Sequence, residues 1–285
     1  MSRQKGFSII EVLIAVAVVA VIAGLIIYAT AGQKKATIST QPSPSTSTKE
    51  TTTQQTPQGT VQWEWNGDKW QASGTPPNCP GPLKFSTAPT DLSKATAVLY
   101  PGQSRGNNYK PHGGLLFSSA SSNNVTVKAI MDGVVASGAR YIEMGETQYM
   151  FTIVNDCGIA YRYDHLLALS PTFQKLADAL PAAKENDSRT TNFNNATVIK
   201  AGEEVATAVG FSKTRNVSFD LGVYDYRQRN QAAQSASYVT THQNFLSQAG
   251  YALCWLDMFS TSDSAILTSL PGGDGTAGKT SDYCK

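Results

Sequence analysis

From Phe7 to Thr30 the chain reads FSIIEVLIAVAVVAVIAGLIIYAT, an apolar run broken by a single charge, Glu11. At about 1.5 Å per residue, a helix of this length crosses a hydrocarbon core roughly 30 Å thick. The run therefore predicts a transmembrane helix over 7–30. A secretory signal peptide would have a shorter apolar region followed by a small-residue cleavage site. Arg3 and Lys5 precede the run and set the amino terminus on the cytoplasmic side. Everything after the helix is expected outside the cytoplasm, as a single-pass protein with an extracytoplasmic domain. The formal charge is only +2, which gives no electrostatic case for a nucleic-acid partner.

A carboxylate within a membrane helix costs about 2.5 to 3.5 kcal/mol at the helix centre unless a partner neutralises it, although near the interface it can snorkel to water. The stretch KGFSIIEVLIA from Lys5 explains why one is kept there. A short basic leader ending in Gly6, then Phe7, then Glu11 at the fifth position after that glycine resembles the type IV prepilin signal. The resemblance implies that a prepilin peptidase removes residues 1–6 and that the new amino terminus at Phe7 is N-methylated. It also implies that Glu11 pairs with the amino terminus of a neighbouring subunit. Residues 31–59 depart from it. Where a major pilin continues its helix into the head, this chain turns to Thr, Ser, Gln and Pro with almost nothing apolar, a composition that stays a disordered tether.

Order is expected again from residue 60. In TVQWEWNGDKWQASG the alternating residues around Asn66-Gly67 predict a hairpin with a two-residue turn. Trp63, Trp65 and Trp70 could form an aromatic sugar platform or, more commonly, cover a small core. Short strands follow over 125–131, 134–137, 148–154 and 159–166, with turn residues between them. One helix is read in PTFQKLADALP, with Pro171 at its start and Phe173, Leu176, Ala177 and Leu180 on one face. TVIKAGEEVATAVGF and NVSFDLGVYDYR return to strand. The class is mainly β.

The cysteines are Cys79, Cys157, Cys254 and Cys284. An even count outside the cytoplasm suggests two disulfides, and the spacing fits no compact zinc cluster. Pairing Cys254 with Cys284 would staple the Gly- and Ser-rich carboxy-terminal region, about 250–285, leaving Cys79 with Cys157.

Four segments then stand in a telling order: HGGLLF from His112, VKAIMDGVVASG from Val127, YDHL from Tyr163 and NVSFDLGVYD from Asn216. Over about 109–226 this order resembles the lysostaphin-like (LytM) zinc endopeptidases, whose motifs run H-x-G-x-D-F, V-x-A-x-x-D-G-x-V, Y-x-H-L and H-L-H-F-E. The resemblance implies an antiparallel β-sheet domain of the duplicated hybrid motif type. It implies that His112 matches the first zinc ligand, while Leu116 stands in place of the ligand aspartate. His165 matches the histidine of Y-x-H-L that assists catalysis. Asn216 replaces the catalytic histidine and Ser218 the third zinc ligand, while Asp220 keeps the acidic position.

A catalytic zinc needs about three protein ligands and one open position, and only His112 remains of the three. Without the metal, water stays near its bulk pKa of about 15.7, and the neutral amide of Asn216 cannot serve as a base. Asp164, Asp220, Asp225 or His242 could supply ligands from new positions. Ser218 with the histidines could form a Ser/His pair, although no G-x-S-x-G motif accompanies it. The expectation is a pseudoenzyme without cofactor whose groove keeps His112, His165 and Asp220, and which binds or scaffolds at peptidoglycan or among pilin-like subunits. The alternatives are an active zinc endopeptidase of cell-wall peptides and a purely structural minor pilin.

Overall fold

The computed structural model describes residues 61–285. The expected leader, transmembrane helix, Glu11 and linker lie outside the described residues. Within them, no helix is long and apolar enough to cross a membrane.

The domain is mainly β, and its named strands all pair with one another in antiparallel fashion. Strands β1 (Trp63–Trp65) and β2 (Trp70–Ala72) form a hairpin. Next come β3 (Ala97–Leu99), a small pair of β4 (Gln103–Arg105) with β5 (Asn108–Lys110), then β6 (Gly113–Leu116) and β7 (Val127–Lys128). The long strands are β8 (Gly133–Glu143), β9 (Glu146–Val154) and β10 (Ile159–Leu169), followed by helix α1 (Pro171–Asp178). Strands β11 (Thr191–Ile199), β12 (Glu204–Val209) and β13 (Ser218–Asp225) complete the sheet. Its order is β11-β8-β9-β10-β13-β6-β3, with β12 bridging β10 to β7. Three short helices close the chain: α2 (Ala236–Thr241), α3 (Leu246–Ala249) and α4 (Thr261–Ser269).

Period-two alternation decides what each face of the sheet does. Leu115, Phe151, Ile153, Tyr161, Tyr163, Phe219 and Leu221 point to one side and are fully buried. Phe173 of α1 meets Phe151 edge-on, with ring centroids 5.1 Å apart. Each such side chain contributes about 1.5–3 kcal/mol through burial. On the opposite side the described residues cover the sheet at one end. That end carries Val154, Ala160, Tyr224, Tyr226 and Tyr251, with the tryptophans of β1 and β2 laid over them. Trp70 stacks on Tyr226 at 3.7 Å and donates from its indole nitrogen to the Ser247 carbonyl. The tryptophans thus cover a small core.

Several sequence expectations change at their boundaries. The turn of the first hairpin has four residues, because Trp65 already pairs with Trp70 and the Asn66 side chain accepts from the amides of Asp68 and Lys69. The strand expected over 125–131 shrinks to β7, since beyond Lys128 the backbone bonds of Ala129 go to the turn at Gly202 and Glu203. Strand β8 runs on to Glu143 and returns through Met144 and Gly145, both at positive φ, the geometry of a tight hairpin turn. The helices α2 to α4 were not expected.

Both disulfides are the expected ones, Cys79–Cys157 and Cys254–Cys284. They close loops of 78 and 30 residues, each contributing about 4 kcal/mol in the chain-entropy picture.

Candidate functional site

The uncovered middle of the sheet is a groove of about 820 Å³, in the range of ligand sites. Its floor is built by register. Asp164 of β10 lies opposite Asp220 of β13, Arg162 opposite Gly222, and Asp220 opposite Gly114 of β6. Paired residues share a face, so Arg162, Asp164 and Asp220 all point into the groove. Gly114 has to be glycine, because a Cβ there would come within 2.6 Å of the Phe219 carbonyl and 2.9 Å of the Asp220 carboxylate.

The YDHL segment adds a second device. Between Tyr163 and Leu166 the β9–β10 register slips, and His165 takes φ +60°. Such a bulge re-aims side chains. Here it turns both Asp164 and His165 into the groove while Leu166 returns to the core. Asp164 stabilises the bulge by accepting from the His165 amide at 2.9 Å and from the Tyr141 hydroxyl at 2.6 Å.

The residues His112, His165 and Asp220 are therefore brought together. The Asp220 carboxylate lies 2.9 Å from His112 Nε2 and 3.7 Å from His165 Nε2, and Glu143 lies 3.8 Å from His165 Nδ1. Behind His112 stands Arg162, with Nη2 2.6 Å from His112 Nδ1. A guanidinium can only donate. His112 Nδ1 must therefore be the acceptor, and Nε2 carries the proton given to Asp220. Burial, helped by the positive charge of Arg162, holds the His112 pKa down to about 4 against the pull of Asp220. Burial works against the ionised form of Asp220, but the charge of and hydrogen bond from His112, with His165 and Arg105 nearby, outweigh it and hold the carboxyl well below its ordinary value.

Leu116 and Ser218 face each other across the β6–β13 ladder, the adjacency two metal ligands would need. One offers no donor atom, and the other spends its hydroxyl on the Asn216 side chain at 3.0 Å. Leu116 also packs toward Gly273 of the carboxy-terminal segment. None of Leu116, Asn216 and Ser218 lines the groove. The other proposed donors are occupied elsewhere: Asp225 makes a two-pronged pair with Arg227, and His242 stacks on Tyr109 at 3.9 Å. Among the described residues no set of three or more His, Cys, Asp or Glu side chains is arranged to hold a metal ion. The donor set does not fit zinc.

Sequence reasoning missed Arg162, Tyr141 and Tyr224, which give the groove much of its character. A signal was present in IAYRYDHLL, where one cation interrupts an apolar alternating run.

Residues 1–27 match the prokaryotic N-terminal methylation motif, which implies processing by a prepilin peptidase and a pilin-like context. No curated protein matches the chain. Among solved structures it is similar to a protein from Ruminococcus gnavus ATCC 29149 assigned as a glycyl-glycine endopeptidase LytM. Identity is 13%, covering 46% of this chain and 53% of that one, with a TM-score of 0.26. The match spans about half of the relative's length, and at that score neither a common fold nor a common activity follows from it alone.

Proposed function

We propose that this is a membrane-anchored, pilin-like surface protein whose β domain, lysostaphin-like in its motif order, binds cell-wall peptide in its groove without cutting it. The observation that carries this reading is the state of His112. Its Nδ1 lone pair is taken by Arg162 and its Nε2 proton is given to Asp220, so the residue best placed to begin a zinc site has no lone pair to offer. A fixed guanidinium beside it further opposes a dication by Coulomb repulsion. Without metal activation no hydroxide forms at neutral pH, whereas groove shape and polar lining, which do not depend on the metal, support binding. The methylation motif supports anchoring by the amino-terminal segment, with the domain outside the cytoplasm and at the cell wall or pilus apparatus.

Two results test the two halves of this reading. The mature protein isolated from membranes should begin at Phe7 by mass spectrometry. An intact leader, or a cut beyond Ala31, would remove the prepilin half. The full chain in detergent should co-sediment with peptidoglycan sacculi and release no soluble peptide, and failure to co-sediment would remove the binding half.

A further inference from the structure

The groove holds a buried charge that no side chain among the described residues neutralises at contact. Arg162 is 9% exposed. Its guanidinium donates to Gln248 and to His112, both uncharged, and forms no ion pair among the described residues. The neighbouring carboxylates are engaged elsewhere, Asp164 by Tyr141 and the His165 amide, Asp220 by the two imidazoles. A buried ion left without a counter-ion is costly, and proteins normally pair it.

An unsatisfied hydroxyl lines the same groove. The Tyr224 hydroxyl is buried, lines the same groove and has no hydrogen-bond partner among the described residues. Its position is fixed by Gly222, where a methyl group would collide with it. Gly222 is in turn the ladder partner of Arg162. The tyrosine ring therefore folds back along β13 and delivers its hydroxyl to the level of the guanidinium. A cation without a contacting counter-ion and an unpartnered hydroxyl thus line the same groove.

We propose that Arg162 and Tyr224 form a receptor for a carboxylate of the bound ligand. Each terminal nitrogen of the guanidinium keeps a second N–H beyond those given to Gln248 and His112, which the two oxygens of a carboxylate can accept, and the phenol supplies a third donor. Asp164, Asp220 and Glu143 line the same groove and repel a doubly charged phosphate more strongly than a singly charged carboxylate, while leaving a site for a cationic group on the same molecule. This deepens the peptide-binding reading above and rests on the groove being the binding site.

The test is calorimetric titration of the full chain in detergent with four probes: the stem tetrapeptide L-Ala-γ-D-Glu-L-Lys-D-Ala, its fully amidated form, N-acetyl-D-alanine and inorganic phosphate. The free acid should bind about tenfold or more tightly than the amide. Tyr224→Phe, which removes only the hydroxyl, should weaken the acid about tenfold and leave the amide unchanged. Arg162→Lys should weaken the acid further, and the Tyr224→Phe and amide comparisons stand should that variant unfold. Equal binding of acid and amide would overturn the carboxylate receptor while leaving peptide binding intact. Binding of N-acetyl-D-alanine without the tetrapeptide would support the receptor and remove the cell-wall reading. Silence from both, or phosphate binding as tightly as the acids, would overturn the receptor.

Discussion

Asp220→Ala is expected to destabilise the domain by about 3–5 kcal/mol, the cost of removing one partner from a buried charged network. The carboxylate is 13% exposed and receives the His112 Nε2 proton at 2.9 Å. It also offsets the charge of Arg105, which donates to the His112 carbonyl at 2.9 Å, and, together with Asp164, that of Arg162. Truncation leaves the imidazole donor without a partner and both guanidinium groups without that carboxylate. Asp220→Asn, which keeps an acceptor for His112 and removes only the charge, should cost less. The difference between the two measures how much of the effect is charge. Urea unfolding of both variants checks this, and a loss below about 1 kcal/mol for the alanine would mean that water already screens the cluster.

The second large effect is a loss of stability in mild acid. His112 is held near 4 against its ordinary 6.5. Between those values the unfolded chain binds a proton that the folded chain refuses, so stability falls as the pH falls. The contribution is fully present above pH 6.5 and is lost by about pH 4, amounting to about 3 kcal/mol. Asp220 has the same sign, but its contribution is lost only below its ordinary 3.8. His242, also lowered by burial against Asp282, adds in the same direction as His112. In His112→Asn the slope between pH 6.5 and 4 should largely vanish. An unchanged slope would mean that another group is responsible and that His112 is not locked neutral.

Much of this site was legible because its parts obey local rules. Within β13 Phe219 is buried and the next residue, Asp220, enters the groove, as the period of two in a strand requires. An even cysteine count leaves three connectivities, and the Gly- and Ser-rich carboxy-terminal region favours Cys254 with Cys284, the pair the structure shows. What was not legible depends on contacts between elements distant in sequence. Arg162 reads as an ordinary strand residue until the ladder sets it opposite Gly222 and the loop before β6 brings His112 against it. Helix α2, ASYVTT, buries none of its residues and so lacks the apolar stripe from which a helix is read. Strand β11, TNFNNATVI, is rich in asparagine, a residue depleted from strands, and is ordered by pairing with β8. Met144 at φ +51° occupies a position where glycine or asparagine would have announced the turn.

Metal content and hydrolysis, measured on one preparation of the full chain purified without chelator, test the non-hydrolytic groove most directly. The expected result is no stoichiometric zinc and no cleavage of peptidoglycan peptides or oligoglycine, with or without added zinc. Stoichiometric zinc that disappears in His112→Ala, together with cleavage lost in the same variant, would contradict it.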